Sequence, residues 1–340
     1  MSSATGVKAI LQTVAGGERF SPDAMAVAVE TLTADATPAQ MAAFLMGLRV
    51  RGETVDEITG AARALRERMT AVSVAPGAID IVGTGGDGHG TFNVSTGAAI
   101  VAAGAGLKVA KHGNRSVSSL SGASDVLQAL GVKLDGGPEV SARAVQEAGV
   151  GFLWAPMHHP AMKAWAGARA ELGIRTLFNL LGPICNPARV RHHVLGVFAP
   201  EWVLPIAEAL RSLGSERAWV VHGHDGLDEL STTGSSMVAA LADGKITTFE
   251  VTPEEAGLPR VSLADLKGGD GAHNAAALRA LLTGAPGPYR DIVLLNTAAA
   301  LIVAGRASSL KEGVALAADA IQSGRAAAAL DKLIAISQAA

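Results

Sequence analysis

The chain has 340 residues, of which 49% are hydrophobic, so it is long and apolar enough to bury the cores of two domains. A formal net charge of −3 argues against broad binding of nucleic acid or anionic membranes, because such proteins present a strongly basic surface. The single cysteine, Cys185, excludes an internal disulfide framework and is typical of a reducing compartment. No signal peptide or membrane-spanning run is recognisable, so we expect a globular cytoplasmic protein.

The first 70 residues or so predict four helices and no strand. Ser21-Pro22 and Thr37-Pro38 each join a hydroxyl residue that can cap a helix to a proline suited to the first helical position. Thr54 and Glu57 have the spacing of a capping box. We therefore expect a small all-helical domain over residues 1–72. One apolar stripe at helical spacing, expected in its core, comprises Met41, Phe44, Leu45 and Leu48.

From Pro76-Gly77 onward, short strands rich in branched residues alternate with helices, which favours a mainly parallel central sheet flanked by helices. We assign residues 73–340 to this larger α/β domain. The expected strands are residues 78–83, 107–111, 132–134, 151–155, 194–198 and 218–221, with helices at 94–104 and 124–130. Asp243-Gly244 predicts a hairpin between residues 237–241 and 246–251, and helices follow from about residue 272.

Two helical patterns, residues 159–172 and 174–182, interrupt the series of strands. Helical residues at this point of the chain contribute no strand to the sheet. We therefore expect a helical segment of about 159–183 to pack back onto the N-terminal domain.

A glycine-dense loop, residues 83–97, separates the first predicted strand from an apolar helix. Glycines let the backbone approach an anion closely, and the free N–H groups and positive dipole end of the next helix attract it, so the loop predicts a phosphate site. Gly83, Gly85 and Gly88 also match the dinucleotide fingerprint, which needs an acidic residue about 20 positions later to hold a ribose. Residues 88–124 contain no Asp or Glu, so a nicotinamide cofactor is disfavoured.

Two further polar segments follow predicted strands. Residues 111–119 combine cations with an amide and hydroxyls, which suits a second phosphate, and the carboxyl ends of parallel strands would place both loops at one edge of the sheet. Asp228 and Glu229 offer the oxygen ligands that Mg²⁺ takes beside phosphates and water, although most such pairs are surface or helix-start charges. No His-Cys cluster or nucleophile elbow is present, which leaves zinc and acyl-transfer chemistry unsupported.

Four motifs together resemble the anthranilate phosphoribosyltransferase family, and the resemblance spans nearly the whole chain. In order, they are residues 83–87 with 91–96, residues 111–115, residues 175–183 with Asn186-Pro187, and residues 222–229. The resemblance implies a homodimer whose subunit has a helical domain and an α/β domain. It also implies transfer of a phosphoribosyl group from phosphoribosyl pyrophosphate to anthranilate in tryptophan biosynthesis, with Mg²⁺ required, about two ions per subunit.

The resemblance also implies roles for individual residues. It assigns phosphoribosyl pyrophosphate binding to Gly83, Gly86, Asp87, Thr91, Asn93, Val94, Ser95, Thr96, Lys111, His112, Gly113, Asn114, Arg115, Ser116, Val117, Ser118, Ser119 and Ala123. It assigns anthranilate binding to Gly83, Asn114 and Arg169, and Mg²⁺ binding to Ser95, Asp228 and Glu229. At position 123 the family commonly has a hydroxyl residue, so the alanine leaves only backbone contact to phosphate there.

The expected reaction needs stabilisation of charge and no named general base. Loss of pyrophosphate develops positive charge on the sugar and negative charge on the leaving group, so Lys111, His112 and Asn114 are expected to act electrostatically. An aromatic amine is unprotonated at neutral pH and can attack directly. The alternatives are a pyrimidine nucleoside phosphorylase, which uses inorganic phosphate, and a non-enzymatic relative that binds nucleic acid through the basic loop. The basic run at 111–115, the Asp-Glu pair and the acidic net charge favour the transferase.

Overall fold

The computed structural model describes residues 6–115 and 120–339. The predicted donor contacts at Ser116, Val117, Ser118 and Ser119 lie outside the described residues. Within the described ranges, no helix combines the length and the apolar composition that crossing a membrane requires.

The N-terminal part folds as the four predicted helices. They are α1 (Val7–Ala15), α2 (Pro22–Asp35), α3 (Pro38–Arg51) and α4 (Val55–Glu67). The predicted caps of the last three are present, because Ser21, Thr37 and Thr54 each accept a hydrogen bond from an amide of the first turn. The predicted apolar stripe is core, since each of its members is at most 4% exposed: Met41, Phe44, Leu45 and Leu48.

The first half of the α/β part consists of β1 (Ile79–Gly83), α5 (Val94–Gly104), β2 (Val109–Gly113), α6 (Ala123–Ala129), α7 (Gly137–Ala148) and β3 (Val150–Trp154). Strand β2 ends two residues later than predicted, so His112 and Gly113 belong to the strand and not to the loop after it. The strand predicted at residues 132–134 is wrong. Val132 is buried in the core, and the amide of Lys133 donates to Oγ of Ser337 near the C-terminus at 3.0 Å, so these residues pack on a helix.

A helical segment follows β3 and packs against the N-terminal helices. It comprises α8 (Ala155–His158), α9 (Pro160–Ala164), α10 (Ala166–Leu172) and α11 (Leu177–Ile184). The prediction of one helix over residues 159–172 is wrong, because the chain turns at Trp165. That turn buries the indole completely, 6.2 Å from the ring of Phe44, and lets its Nε1 donate to Oγ1 of Thr33 at 2.9 Å.

The remaining elements are β4 (His192–Gly196), α12 (Val203–Ser212), β5 (Arg217–Gly223), β6 (Ser236–Ala242), β7 (Lys245–Val251), α13 (Gly271–Leu282), α14 (Pro288–Val303), α15 (Leu310–Gln322) and α16 (Arg325–Gln338). The predicted hairpin is confirmed, since β6 and β7 pair in antiparallel fashion around Asp243 and Gly244, both of which have positive φ.

The strands of the described residues form one seven-stranded sheet in the order β3-β2-β1-β4-β5-β6-β7. The pairs from β3 to β5 are parallel, and the last two pairs are antiparallel, which confirms a mainly parallel sheet. The chain moves outward from β1 to β3 and then returns to β4 on the other side of β1. Ligands of open α/β sheets bind beyond the carboxyl ends of the strands at such a switch point, so the fold directs attention to the loops after β1, β2, β4 and β5.

Candidate active site

The glycine loop leaves β1 at the switch point and ends at α5. Gly85 and Gly86 have φ values of +66° and +76°, a left-handed conformation that other residues adopt only with strain. Residues 94–96, all predicted donor contacts, form the first turn of α5. Backbone N–H groups of a first turn have no partner within the helix and lie at its positive dipole end, so this turn is suited to a phosphate.

The acidic loop after β5 meets the glycine loop directly. The amide of Gly85 donates to Oδ2 of Asp228 at 2.6 Å, and the amide of Ser95 donates to Oε1 of Glu229 at 3.2 Å. The three residues predicted to hold Mg²⁺ are therefore brought together from two loops that are far apart in sequence.

Two glycines make this approach possible. A Cβ atom at Gly83 would lie 2.2 Å from Oδ2 of Asp228, and one at Gly196 would lie 1.5 Å from the Asp228 carbonyl oxygen. Both distances are too short for any side chain. The last residues of β1 and β4 are thus glycine because the acidic loop passes across the ends of both strands.

Asp225 fixes the shape of the acidic loop from within. Its Oδ2 accepts hydrogen bonds from Oγ of Ser231 and from Oγ1 of Thr233, each at 2.6 Å. Its Oδ1 accepts from the amide of Leu227 at 3.2 Å. The carboxylate therefore ties both ends of the loop together around Asp228.

Burial changes the protonation of the acidic pair. Loss of solvent, with a smaller contribution from Asp87, raises the pKa of Asp228 to about 6. Burial, reinforced by the charge of Asp228, raises the pKa of Glu229 well above its usual value. Close carboxylates out of water repel each other, so this arrangement favours a bound cation or protons.

Lys111 supplies the amine that faces this pair. Its Nζ donates to the carbonyl oxygen of Ile81 at 2.7 Å and to Oγ of Ser95 at 3.2 Å, and the residue is 3% exposed. Burial lowers the pKa of Lys111, while the charges of Asp80, Glu229 and Asp228 oppose that shift. The amine is therefore held between strand β1 and the first turn of α5.

The oxygen donors of this site fit Mg²⁺. Mg²⁺ is usually held by one or two carboxylates together with waters and substrate phosphates, and Asp228, Glu229 and the Ser95 hydroxyl are donors of that kind. Across residues 6–115 and 120–339, no three His, Cys, Asp or Glu side chains form a cluster able to hold a metal by themselves. The donor set thus suits an ion that shares its coordination with a substrate.

A second polar centre lies beside Lys111, between β2 and the helical segment. Nδ1 of His112 lies 3.1 Å from the carbonyl oxygen of Gly182, and its Nε2 lies 3.2 Å from Nε2 of His159. Since the carbonyl can only accept, the Nδ1 of a neutral His112 carries the proton, and its Nε2 accepts from His159. Burial lowers the pKa of His112 well below its usual value and that of His159 to about 4, so both rings are neutral at physiological pH.

Asp80 and Asn186 hold His112 from the core. Oδ1 of Asp80 accepts from the amide of His112 at 3.1 Å, and its Oδ2 accepts from Nδ2 of Asn186 at 2.7 Å. Asn186 also donates to the carbonyl oxygen of Ala110 at 2.8 Å. This network fixes the carboxyl end of β2 relative to β1.

Arg169 lies on α10 with its guanidinium 5.2 Å from the centre of the Phe178 ring on α11. Burial lowers its pKa, and among the described side chains no carboxylate forms an ion pair with it. Helix α11 also supplies the Gly182 carbonyl that contacts His112. Helix α11 therefore links the pair of neutral histidines to a guanidinium that has no carboxylate partner within residues 6–115 and 120–339.

Arg175 connects the helical segment to the glycine loop. Its Nη2 donates to the carbonyl oxygen of Gly86, and its guanidinium lies 4.4 Å from the centre of the Phe198 ring, just after β4. The side chain therefore spans the gap between the two parts of the chain.

The other predicted donor residues lie around this centre. Asp87 accepts from the amide of His89 at 3.2 Å, and Thr91 forms an isolated bridge with Lys267. Asn114 and Arg115 are exposed after β2, which ends at Gly113, and Ala123 begins α6. The structure thus brings the β1 and β5 loops into direct contact, whereas Asn114 and Arg115 form a more open rim.

Sequence reasoning gave no role to Asp80, His159, Arg175, Asp225 or Asn186. An Asp between two isoleucines of a buried strand is a signal that could have pointed to Asp80. Arg175, Asn186 and Asp225 lie within the motifs that resemble the family, so those motifs were a signal for them. His159 lacks such a signal, because its partner His112 is distant in sequence.

Comparisons with known proteins agree with this geometry. Profiles described as "Glycosyl transferase family, helical bundle domain" and "Glycosyl transferase family, a/b domain" match residues 8–69 and 75–327. An anthranilate phosphoribosyltransferase of Parvibaculum lavamentivorans is 60% identical over 332 residues, which cover 97% of each chain.

The crystal structure of the anthranilate phosphoribosyltransferase of Thermus thermophilus is 46% identical, with a TM-score of 0.92 and coverage of 97% of this chain and 99% of that one. The Saccharomyces cerevisiae enzyme in complex with PRPP and Mg is 31% identical, with a TM-score of 0.91 and coverage of 100% and 99%. The chain belongs to the anthranilate phosphoribosyltransferase family.

Proposed function

We propose that this chain transfers the phosphoribosyl group of phosphoribosyl pyrophosphate to the amine of anthranilate. The bond between the anomeric carbon and the pyrophosphate oxygen breaks, and pyrophosphate leaves with the electron pair. The anthranilate nitrogen forms the new bond to that carbon and then loses a proton. The observation that carries the proposal is the contact between the glycine loop and the buried carboxylates of Asp228 and Glu229.

The donor binds across the glycine loop and the end of β2. The first turn of α5 offers a phosphate its positive dipole end, and Lys111 supplies positive charge beside Ser95. His112 supports this end of β2 as a neutral ring, because both of its ring nitrogens contact protein groups and burial lowers its pKa well below its usual value. Asn114 and Arg115 contact the donor from the open rim, and at Ala123 only the backbone is available.

Mg²⁺ is bound by Asp228, Glu229 and Ser95 together with the pyrophosphate of the donor, with about two ions per subunit. When bound, the metal neutralises charge that develops on the leaving group. The protein's own contribution is to hold the two carboxylates against the glycine loop, so that donor and metal are bound as one unit.

Anthranilate binds between Arg169 and the end of β2. Its carboxylate pairs with the guanidinium, which has no carboxylate partner among the described residues. Gly83 and Asn114 face the same substrate from the α/β part. Because the amine is unprotonated at neutral pH, it attacks the anomeric carbon without a dedicated base.

The active form is a homodimer in the cytoplasm. Met46 and Val50 lie one turn apart on α3 and are 42% and 76% exposed, so they form an adjacent apolar pair on the helical part that a second copy of the chain would cover. Light scattering measures the mass directly, and a monomer at micromolar concentration would contradict this part of the proposal.

Loss of anthranilate fluorescence tests the reaction. It should depend on both phosphoribosyl pyrophosphate and Mg²⁺, and release one pyrophosphate per anthranilate consumed. Phosphate-dependent cleavage of thymidine or uridine, without consumption of anthranilate, would favour a nucleoside phosphorylase instead.

A further inference from the structure

A buried asparagine on α13 supports the glycine loop from behind. Asn274 is 1% exposed, and its Nδ2 donates to Oδ1 of Asn93 at 2.8 Å. Its own Oδ1 accepts from the amide of Gly269 at 2.8 Å, so the orientation of this side chain is fixed at both ends. The Nδ2 of Asn93 donates to the carbonyl oxygen of Ser121 at 3.2 Å. Asn274 therefore holds Asn93 as a bridge between the glycine loop and the chain that leads into α6.

Tyr289 on α14 supports the same place through the backbone. Its hydroxyl donates to the carbonyl oxygen of Asn93 at 3.2 Å, and its ring stacks on Phe92 with centroids 4.4 Å apart. Tyr289 is 7% exposed. Because residues 92 and 93 lead into α5, these contacts set the direction in which the first amides of α5 point.

A second buried asparagine supports the acidic loop in the same way. Asn296 on α14 is completely buried, and its Oδ1 accepts from the amide of Leu230 at 3.0 Å. Its Nδ2 donates to the carbonyl oxygen of the same residue at 2.9 Å. Since Leu230 directly follows Glu229, Asn296 fixes the backbone that carries the acidic pair.

We propose that Asn274 and Asn296 are positioning residues that act on different steps of substrate capture. Asn274 acts through Asn93 on donor binding, and Asn296 acts through Leu230 on the metal-binding carboxylates. Both side chains are buried and act through their bonds to Asn93 and Leu230, and the inference rests on the proposed function. A displacement of a few tenths of an ångström at either loop weakens the contacts that depend on its geometry. Loss of each support is therefore expected to affect a different ligand.

Steady-state kinetics of the full chain tests whether Asn274 and Asn296 act on different ligands. Asn274→Asp keeps the shape and the bond to Gly269 but places an acceptor against Oδ1 of Asn93, and Tyr289→Phe removes one hydroxyl. Both should raise the KM for phosphoribosyl pyrophosphate, by roughly five- to tenfold and two- to fivefold, which matches the loss of single hydrogen bonds. The KM for anthranilate should stay within about twofold. Asn296→Ala, the matched variant, should raise the Mg²⁺ concentration for half-maximal rate and leave the donor KM at saturating Mg²⁺ nearly unchanged.

Thermal unfolding of each variant shows whether it is folded, and Tyr289→Phe decides the question if Asn274→Asp does not fold. Equal increases for both substrates, or an unchanged donor KM in the folded variants, would overturn the inference. If the wild-type chain does not consume anthranilate, the proposed function fails, and calorimetric titration with magnesium pyrophosphate still decides the inference. Weaker binding to Asn274→Asp than to the wild-type chain, or to Tyr289→Phe if Asn274→Asp does not fold, would support it, and equal binding would refute it.

Discussion

The amide of Gly85 donates a 2.6 Å hydrogen bond to Oδ2 of Asp228, although 143 residues separate them. This bond joins the loop that is suited to phosphate to the loop that is suited to Mg²⁺. The bond therefore places the glycine loop and the acidic pair side by side at the switch point of the sheet.

Gly86→Val should abolish turnover while the chain stays folded, because a branched side chain at φ +76° strains the loop where the donor approaches. Gly77→Val is the matched control, since Gly77 has φ +84° and lies in the turn before β1. Both variants should lose roughly 1–2 kcal/mol of stability. Only Gly86→Val should lose activity, by about a hundredfold or more. Near-normal turnover of this variant would mean that the loop does not bind the donor.

Arg169→Ala should raise the KM for anthranilate by roughly 10- to 100-fold and leave the KM for the donor nearly unchanged, because an arginine–carboxylate pair with two hydrogen bonds is lost. Arg169→Lys should recover only part of the affinity, since an ammonium lacks the forked geometry. Arg63→Ala is the control, because that exposed arginine pairs with Asp23 in the helical part. Equal effects on both substrates would show that Arg169 acts on the fold and not on anthranilate.

The sequence predicted those features that depend on local patterns. Helix caps at Ser21, Thr37 and Thr54 and the hairpin at residues 243–244 depend on neighbouring residues only, and the structure confirms them. The failures depend on partners elsewhere in the chain. The turn at Trp165 follows from a pocket formed by the N-terminal helices.

The candidate site shows the same difference between local patterns, which the sequence displays, and contacts between distant residues, which it does not. The glycine loop and the Asp-Glu pair are visible as motifs, whereas Asn274 and Asn296 are two polar residues within apolar helices. Their importance follows from contacts across 181 and 66 residues, which no local pattern records.

His193→Gln should reduce the loss of stability in acid. Burial, with a smaller contribution from Arg66, lowers the pKa of His193 to about 3 in the folded chain, compared with about 6.5 when unfolded. The unfolded chain therefore binds the proton first, so the stability due to this group is present above pH 6.5 and is lost as the pH falls toward 3. At pH 5 that loss is about 2 kcal/mol.

Urea unfolding at pH 8 and pH 5 measures the effect as the difference between the two free energies of unfolding. That difference should be smaller in His193→Gln than in the wild-type chain. His224→Gln changes a histidine that is 52% exposed, where solvent screens its pairing with Glu250, so it should alter this difference less than His193→Gln does. An identical pH dependence in all three proteins would show that His193 does not contribute.

Replacing Asp228 and Glu229 together by Asn and Gln should leave a folded chain with little turnover and an altered Mg²⁺ dependence. Burial raises both pKa values above their unfolded values, that of Asp228 to about 6, so the folded chain holds these protons more tightly and loses stability as the pH rises through that value. Without Mg²⁺ at pH 7.5, the neutral amides should therefore raise the free energy of unfolding by roughly 1–3 kcal/mol.

If Asp228 and Glu229 were instead an exposed acidic pair at a helix start, their neutralisation would lower the free energy of unfolding by about 0.3–1 kcal/mol. Glu254→Gln with Glu255→Gln neutralises an exposed pair at the start of a short 3₁₀ helix and removes a bond to Arg260, so this control should lower the free energy of unfolding, a change of the opposite sign. Urea unfolding and a Mg²⁺ titration of the rate distinguish the two roles, and wild-type turnover with an unchanged titration would remove Asp228 and Glu229 from the metal site.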